Sequence, residues 1–265
     1  MPQPVLIAAI DLGPLTGRVL YHAAGFARLL NLKLRVLHVS TETSPAMHQK
    51  VMDACRREGP CQVNFDPDDV LVRGGQVSDV IAREARDAEA PLIVMGARGR
   101  TGVASLLLGS TSQALLRQAP APVLLVPPTD MDIVNVSDHV SLTSGPIIAA
   151  VDLSEECGKQ LVMASLLACV GAQPLMLMTV ANSPTSDERA SVQLKQRGSH
   201  LYPKRPTAVI VRRGAIPNEI ARCASTEQSG LVVMGLRRSP ECHPGTIASA
   251  VLKTKKAFVL AVPGC

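Results

Sequence analysis

The sequence predicts an α/β protein of two tandem, open, doubly wound domains, each with a mostly parallel five-stranded sheet. Three observations predict this. Short aliphatic runs alternate with segments whose apolar residues recur at helical spacing. The chain is 46% hydrophobic but only 2% aromatic, with no Trp, so its core is aliphatic, as suits a buried parallel sheet under helices. The second half also repeats the first. Ile10-Asp11-Leu12-Gly13 matches Val151-Asp152-Leu153-Ser154, and Gly17 matches Gly158, both at an offset of 141. A repeat of this length means two copies of one domain rather than a solenoid of short units.

The elements of the first copy follow in order. Val5-Leu6-Ile7-Ala8-Ala9-Ile10 is the first buried strand, and Asp11 sits where it meets its loop. That is the edge at which open parallel sheets bind ligands. Val19, Leu20, Ala23, Ala24, Ala27 and Leu30 mark a helix over residues 15–30. Residues 32–39 form a second strand, whose early alternation leaves one side exposed. A loop from Thr41 leads to a helix near 46–57, and residues 62–69 are polar and irregular. Val70-Leu71-Val72 is a short third strand ending at Arg73-Gly74-Gly75. Val77, Val80, Ile81 and Ala85 form the stripe of the next helix.

Leu92-Ile93-Val94-Met95 is the fourth strand, and it ends abruptly at Gly96. The loop continues as Ala97-Arg98-Gly99-Arg100-Thr101-Gly102 and reaches Gly109-Ser110-Thr111-Ser112. The three hydroxyl residues are good N-caps for a helix over 111–118. Glycines allow close backbone approach, and a helix N-terminus presents unpaired N–H groups with partial positive charge. Together they describe an anion site, to which Arg98 and Arg100 add charge and Ser110, Thr111 and Ser112 add donors. No Gly-Lys-Ser/Thr follows, so this is not a Walker A loop, and the glycines fall too late for a dinucleotide fingerprint. Ala119-Pro120-Ala121-Pro122 then breaks the chain, Val123-Leu124-Leu125-Val126 is the fifth strand, and residues 129–144 read as a polar linker. The expected domains are therefore residues 1–128 and 145–265.

The spacing Gly96, two residues, Gly99, nine residues, Gly109, Ser110 resembles the ATP-binding signature of the universal stress protein family. Further matches carry the resemblance through the second half. Val72-Arg73-Gly74-Gly75 and Val94-Met95-Gly96 recur as Val211-Arg212-Arg213-Gly214 and Val233-Met234-Gly235 at offset 139, and Val126-Pro127 recurs as Val262-Pro263 at offset 136. The resemblance thus implies a tandem universal stress protein with a Rossmann-like fold.

It implies a nucleotide site in which Ala9, Ile10 and Asp11 lie at the base and nucleotide. Val39 lines the adenine pocket. Met95, Gly96, Arg98, Gly99, Gly109, Ser110, Thr111 and Ser112 hold ribose and phosphates. The implied ligand is ATP, with or without Mg2+. It also implies that the domains pair about a pseudo-two-fold axis, setting Val123–Val126 beside the run Phe258-Val259-Leu260-Ala261-Val262. Such pairing hides two apolar edge strands. A homodimer and an unidentified protein partner are left open.

The second copy departs at its functional loop. Leu236-Arg237-Arg238-Ser239-Pro240-Glu241-Cys242-His243-Pro244-Gly245-Thr246 replaces the second glycine by Arg238 and sets the outer glycines 10 positions apart, against 13 in the first copy. Two prolines stiffen it and remove N–H donors. This loop is expected to cradle a triphosphate poorly, leaving the second domain as a pairing and scaffold module.

Composition bounds the rest. The seven cysteines are scattered without metal or redox spacing, and with no secretory signal read at the start the expected location is cytoplasmic. No apolar run approaches the ~20 residues of a membrane span. Net charge is +5 overall but divides as −1 for residues 1–141 and +6 for 142–265. No nucleic-acid motif accompanies the basic half. No catalytic base, metal cluster or loop lysine points to fast phosphoryl transfer, so at most slow ATP hydrolysis is expected. His38 on its apolar strand reads as structural. The alternative reading is an interaction protein whose basic second half meets an acidic partner without nucleotide.

Overall fold

The computed structural model describes residues 3–98, 108–137, 139–143, 145–154, 158–181, 187–236 and 245–264. The chain divides into two compact units, Met1–Ser141 and Leu142–Cys265. Each is an α/β layer structure.

In the first unit the elements are β1 (Val5–Ile10), α1 (Thr16–Leu29), β2 (Lys33–Val39), α2 (Pro45–Glu58), β3 (Val70–Arg73), α3 (Val77–Asp87), β4 (Ile93–Gly96), α4 (Ser110–Gln118) and β5 (Val123–Val126). Two-residue strands β6 (Val134–Asn135) and β7 (Ser141–Leu142) follow. The sheet order is β5-β4-β1-β2-β3, and every neighbouring pair is parallel. Register aligns the strand ends: Ile10 pairs with His38, Ala9 with Met95, Val39 with Arg73 and Gly96 with Val126. The chain leaves β1 toward β2 and β3, then crosses back to β4. The point where the order reverses therefore lies between β1 and β4, and such points are where open sheets carry ligands.

The core is aliphatic, as the low aromatic content requires. Leu6, Leu20, Leu37, Ile93 and Leu124 are fully buried, as is Phe26, the one phenylalanine of α1. Local chemistry fixes the ends. Ser44 caps α2 by accepting from the Met47 N–H at 3.2 Å, with Pro45 in the first turn. The stretch read as irregular includes a single 3-10 turn, Pro67–Asp69, capped by Asp66 and tied to β2 by the Lys33–Asp69 ion pair at 2.7 Å.

Residues 129–144 are more than a polar connection. Ile133, Val134 and Val136 are fully or nearly fully buried. Arg18 donates to Met131 O and pairs with Asp132, Val136 N–H donates to Tyr21 Oη, and Arg28 donates to Val136 O. Polar side chains on the outer face of α1 thus satisfy the backbone of a strap whose apolar residues point inward. The average polarity of the stretch concealed those three residues.

The second unit repeats the plan: β8 (Ile147–Ala150), α5 (Gly158–Val170), β9 (Leu175–Val180), α6 (Asp187–Ser199), β10 (Ala208–Arg212), α7 (Ile216–Thr226), β11 (Leu231–Leu236), α8 (Gly245–Lys253) and β12 (Phe258–Pro263). Its sheet order is β10-β9-β8-β11-β12, again parallel throughout. The repeat extends to backbone detail. Gly75 after β3 has φ +130 and Gly214 after β10 has φ +133, conformations that L side chains rarely adopt. A Cβ on Gly75 would also stand 3.0 Å from Val80. Gly75→Ala is expected to cost about 2 kcal/mol, read as a shifted denaturation midpoint at unchanged m-value. Among the described residues no helix is long and apolar enough to cross a membrane.

Candidate functional site

The candidate site is the C-terminal edge of the first unit's sheet, at the reversal between β1 and β4. Asp11 leaves β1 into a tight turn, in which its Oδ1 accepts from the Gly13 N–H at 2.9 Å and Leu12 takes φ +57. This is an Asx turn, which aims the chain into α1. In the second unit Asp152 makes the same turn with the Ser154 N–H at 2.9 Å, and the Ser154 hydroxyl adds a bond at 2.6 Å. Gly13 lacks that hydroxyl.

Across the reversal, Gly96 ends β4. A Cβ there would lie 3.0 Å from Arg98 O and 3.2 Å from Leu15, so glycine lets the α1 entry close onto β4. Ala97 N–H donates to Val126 O at 2.8 Å, and Gly109 N–H donates to Ala97 O at 2.7 Å. The second bond brings the two ends of the glycine-rich loop together. Gly99 and Arg100 lie outside the described residues.

Helix α4 starts at Ser110, with extended Gly109 as its N-cap. This corrects the expectation that the hydroxyl residues cap it. Ser110, Thr111 and Ser112 occupy the first turn, where amides point out of the helix without intrahelical partners. Ser112 is also reassigned. Its hydroxyl is buried and donates to Gly96 O at 3.1 Å and Ala97 O at 3.3 Å, so it locks the neck of the loop instead of offering a free donor. Ser112→Ala is expected to cost about 1 kcal/mol and to speed hydrogen exchange at the Gly109 amide.

Ala9 is half-buried and Ile10 nearly buried, with Ile10 O accepting from His38 Nδ1 at 2.9 Å. His38 is thus a buried histidine holding two strand ends together. Val39 is half-buried at the end of β2, at the same edge. Met95 is buried in β4 between Ala9 and Leu125, which makes its side chain core and leaves its backbone at the edge.

Two buried polar atoms at this edge have no hydrogen-bond partner among the described residues: Arg98 Nε after β4 and Thr16 Oγ1 in the first turn of α1. A guanidinium donor and a hydroxyl in that condition suit an anionic, oxygen-rich ligand. Thr16 carries no signal in the sequence. Its place beside Leu15, which meets Gly96, is visible only once β1 and β4 are adjacent.

The equivalent edge of the second unit is occupied by its own side chains. Gln160 is buried and donates to Ala150 O at 2.6 Å and Val233 O at 3.1 Å, bridging β8 and β11. Arg197 donates to Asp152 O at 3.2 Å and Leu153 O at 2.8 Å. At the offset of 141, Gln160 stands where the first unit has Val19. Residues 237–244, which carry the altered loop, lie outside the described residues.

Comparison with known proteins gives a consistent picture. Residues 4–127 match the model of the universal stress protein family. A universal stress protein of Thermus aquaticus, encoded in the 3' region of a QAH/OAS sulfhydrylase, is 42% identical over 71 residues, which is 27% of this chain and 52% of that protein. The universal stress protein A homolog 2 of Coxiella burnetii is 40% identical over 65 residues, 24% of this chain and 44% of its own length. The chain thus spans about half the length of these relatives or less. The fold of the whole chain is similar to a universal stress protein from Archaeoglobus fulgidus, with a TM-score of 0.68 at 17% identity covering 99% of each chain. It is also similar to a Pseudomonas aeruginosa protein of unknown function, with a TM-score of 0.69 at 20% identity covering 98% of this chain and 92% of that one.

Proposed function

Taking residues 4–127 as a domain of the universal stress protein family, we propose that the first unit binds one adenine nucleotide, ATP, at the reversal between β1 and β4. The observation that carries this reading is the convergence of three features there. They are the Asp11 turn, the first-turn amides of α4 behind a loop neck closed by Gly109 and Ser112, and the buried Arg98 Nε without a partner among the described residues. In this reading the phosphates lie at the α4 N-terminus, with Ser110, Thr111 and Arg98 as donors and Gly96, Gly99 and Gly109 admitting them. Ala9, Ile10, Asp11 and Val39 face the base and ribose, and Mg2+ accompanies the phosphates where it binds.

No group in the described site is placed as a dedicated base for attack on phosphorus, so hydrolysis is slow and the output is a nucleotide-dependent state read by a protein partner during stress. The second unit contributes no second nucleotide, because Gln160 and Arg197 occupy its equivalent edge. Heat-denaturing the purified protein and identifying the released small molecules tests this. Adenine nucleotide in the supernatant is expected. Protein that releases none, and that gains no thermal stability from millimolar ATP with magnesium, would contradict the reading.

A further inference from the structure

Helix α5 carries an apolar ridge on its outer side. Val162, Leu166 and Val170 follow each other at four-residue spacing and are 56%, 37% and 40% exposed, while Leu161, Ala164, Leu167 and Ala168 on the opposite side are buried. A helix that is apolar all round ordinarily has both faces covered.

The internal repeat shows what covers such a face. At the offset of 141, α1 and α5 align residue by residue, and their inward positions are buried alike: 19 with 160, 20 with 161, 23 with 164, 24 with 165, 26 with 167 and 27 with 168. They differ at the outward positions. Tyr21, His22 and Gly25 correspond to Val162, Met163 and Leu166. In α1 these positions meet the strap. Tyr21 Oη accepts from the Val136 N–H, His22 Nε2 accepts from the Ile133 N–H, and a Cβ on Gly25 would lie 2.6 Å from Val134. At the head of the same face, Arg18 pairs with Asp132 at 3.0 Å, and the corresponding residue of α5 is the exposed Lys159.

We propose that the α5 ridge is a docking surface for an extended segment of another polypeptide: an acidic residue followed by β-branched residues that flank one small residue. The acidic residue faces Lys159, as Asp132 faces Arg18. The apolar residues cover Val162 and Val170. The residue opposite Leu166 is small, because α5 presents a side chain where α1 presents the hole at Gly25. Cys169 replaces Arg28, which holds Val136 O in α1, so binding draws on apolar contact and on Lys159. This inference is independent of the nucleotide reading.

The test uses the full chain with methyl-labelled valine and leucine, titrated with a synthetic peptide of residues 129–137 and with its Val134→Ala form. The Val134→Ala peptide is expected to shift the Val162, Leu166 and Val170 methyls and to bind at least about fivefold tighter than the unsubstituted peptide. Val162→Lys, at an exposed position, should abolish the shifts without altering the melting temperature. Lys159→Glu should weaken binding most at low salt. The proposal is overturned if neither peptide shifts these methyls at millimolar concentration. It is also overturned if the shifts persist in Val162→Lys, or if the chain alone self-associates through a contact that Val162→Lys removes, since that assigns the ridge to a second copy.

Discussion

Replacing Gly109 by glutamate is expected to weaken ATP binding by on the order of 100-fold or more, equivalent to about 2.7 kcal/mol, while leaving the melting temperature nearly unchanged. Gly109 has φ −69 and ψ 157, a conformation open to any residue, so a side chain costs no backbone strain. Its N–H bond to Ala97 O is a backbone bond and survives the change. A carboxylate at this cap interacts favourably with the helix dipole and with the amides of Thr111 and Ser112. The same carboxylate takes the ground on which phosphate is proposed to sit and repels it. Isothermal titration calorimetry with a parallel thermal melt separates the two effects. Loss of binding together with a collapsed melting temperature would point to a packing role for Gly109 instead.

Acid is expected to remove about 3 kcal/mol of stability through His22 alone. Its ring is completely buried, and burial pushes its pKa down from 6.5 to about 4. The hydrogen bonds agree with a neutral ring: Nδ1–H donates to Arg18 O at 2.8 Å, and Nε2 accepts from the Ile133 N–H. Between pH 6.5 and 4 the unfolded chain binds a proton that the folded chain does not. The His22 contribution is therefore whole above pH 6.5, is lost progressively on acidification, and is gone below about pH 4. A shift of this size corresponds to the 3 kcal/mol stated. Urea titrations from pH 7.5 to 4 on the wild type and on His22→Leu check it. The variant starts less stable, having lost two hydrogen bonds, and its stability should fall less steeply across the window. Parallel slopes would show that His22 titrates normally. Ile133 belongs to the strap, so protonation acts first where α1 meets residues 131–136.

Much of the fold is legible in the sequence because a parallel sheet buries its strands on both faces. Runs such as Val5–Ile10 and Val123–Val126 then carry an unbroken apolar signal, and their lengths match the observed strands. The strap is not legible in this way. Its buried residues Ile133, Val134 and Val136 sit among Asp, Asn and Ser, and their partner face on α1 is polar because it serves backbone groups rather than side chains. Periodicity measures side-chain burial and is blind to that arrangement.

The candidate site divides along the same line. Asp11 and Gly96 are readable because a strand end and a close approach each demand a residue type, whereas Gly109 enters through the glycine spacing and its place as the α4 cap does not show in the sequence. The role of Ser112 is not readable, since the choice between a ligand and a carbonyl depends on where Gly96 O lies in space. Gln160 is hidden for a similar reason, because it bridges β8 and β11 from segments distant in sequence, and the burial of the Thr16 hydroxyl likewise depends on the fold rather than on its neighbours in the chain.

The most direct test of the central claim is the stoichiometry of ATP binding to nucleotide-stripped protein, measured by calorimetry. One ATP per chain, lost in Gly109→Glu, is the predicted result. Two per chain would show that the second unit binds despite Gln160 and Arg197. None at millimolar ATP with magnesium would contradict the account at its centre.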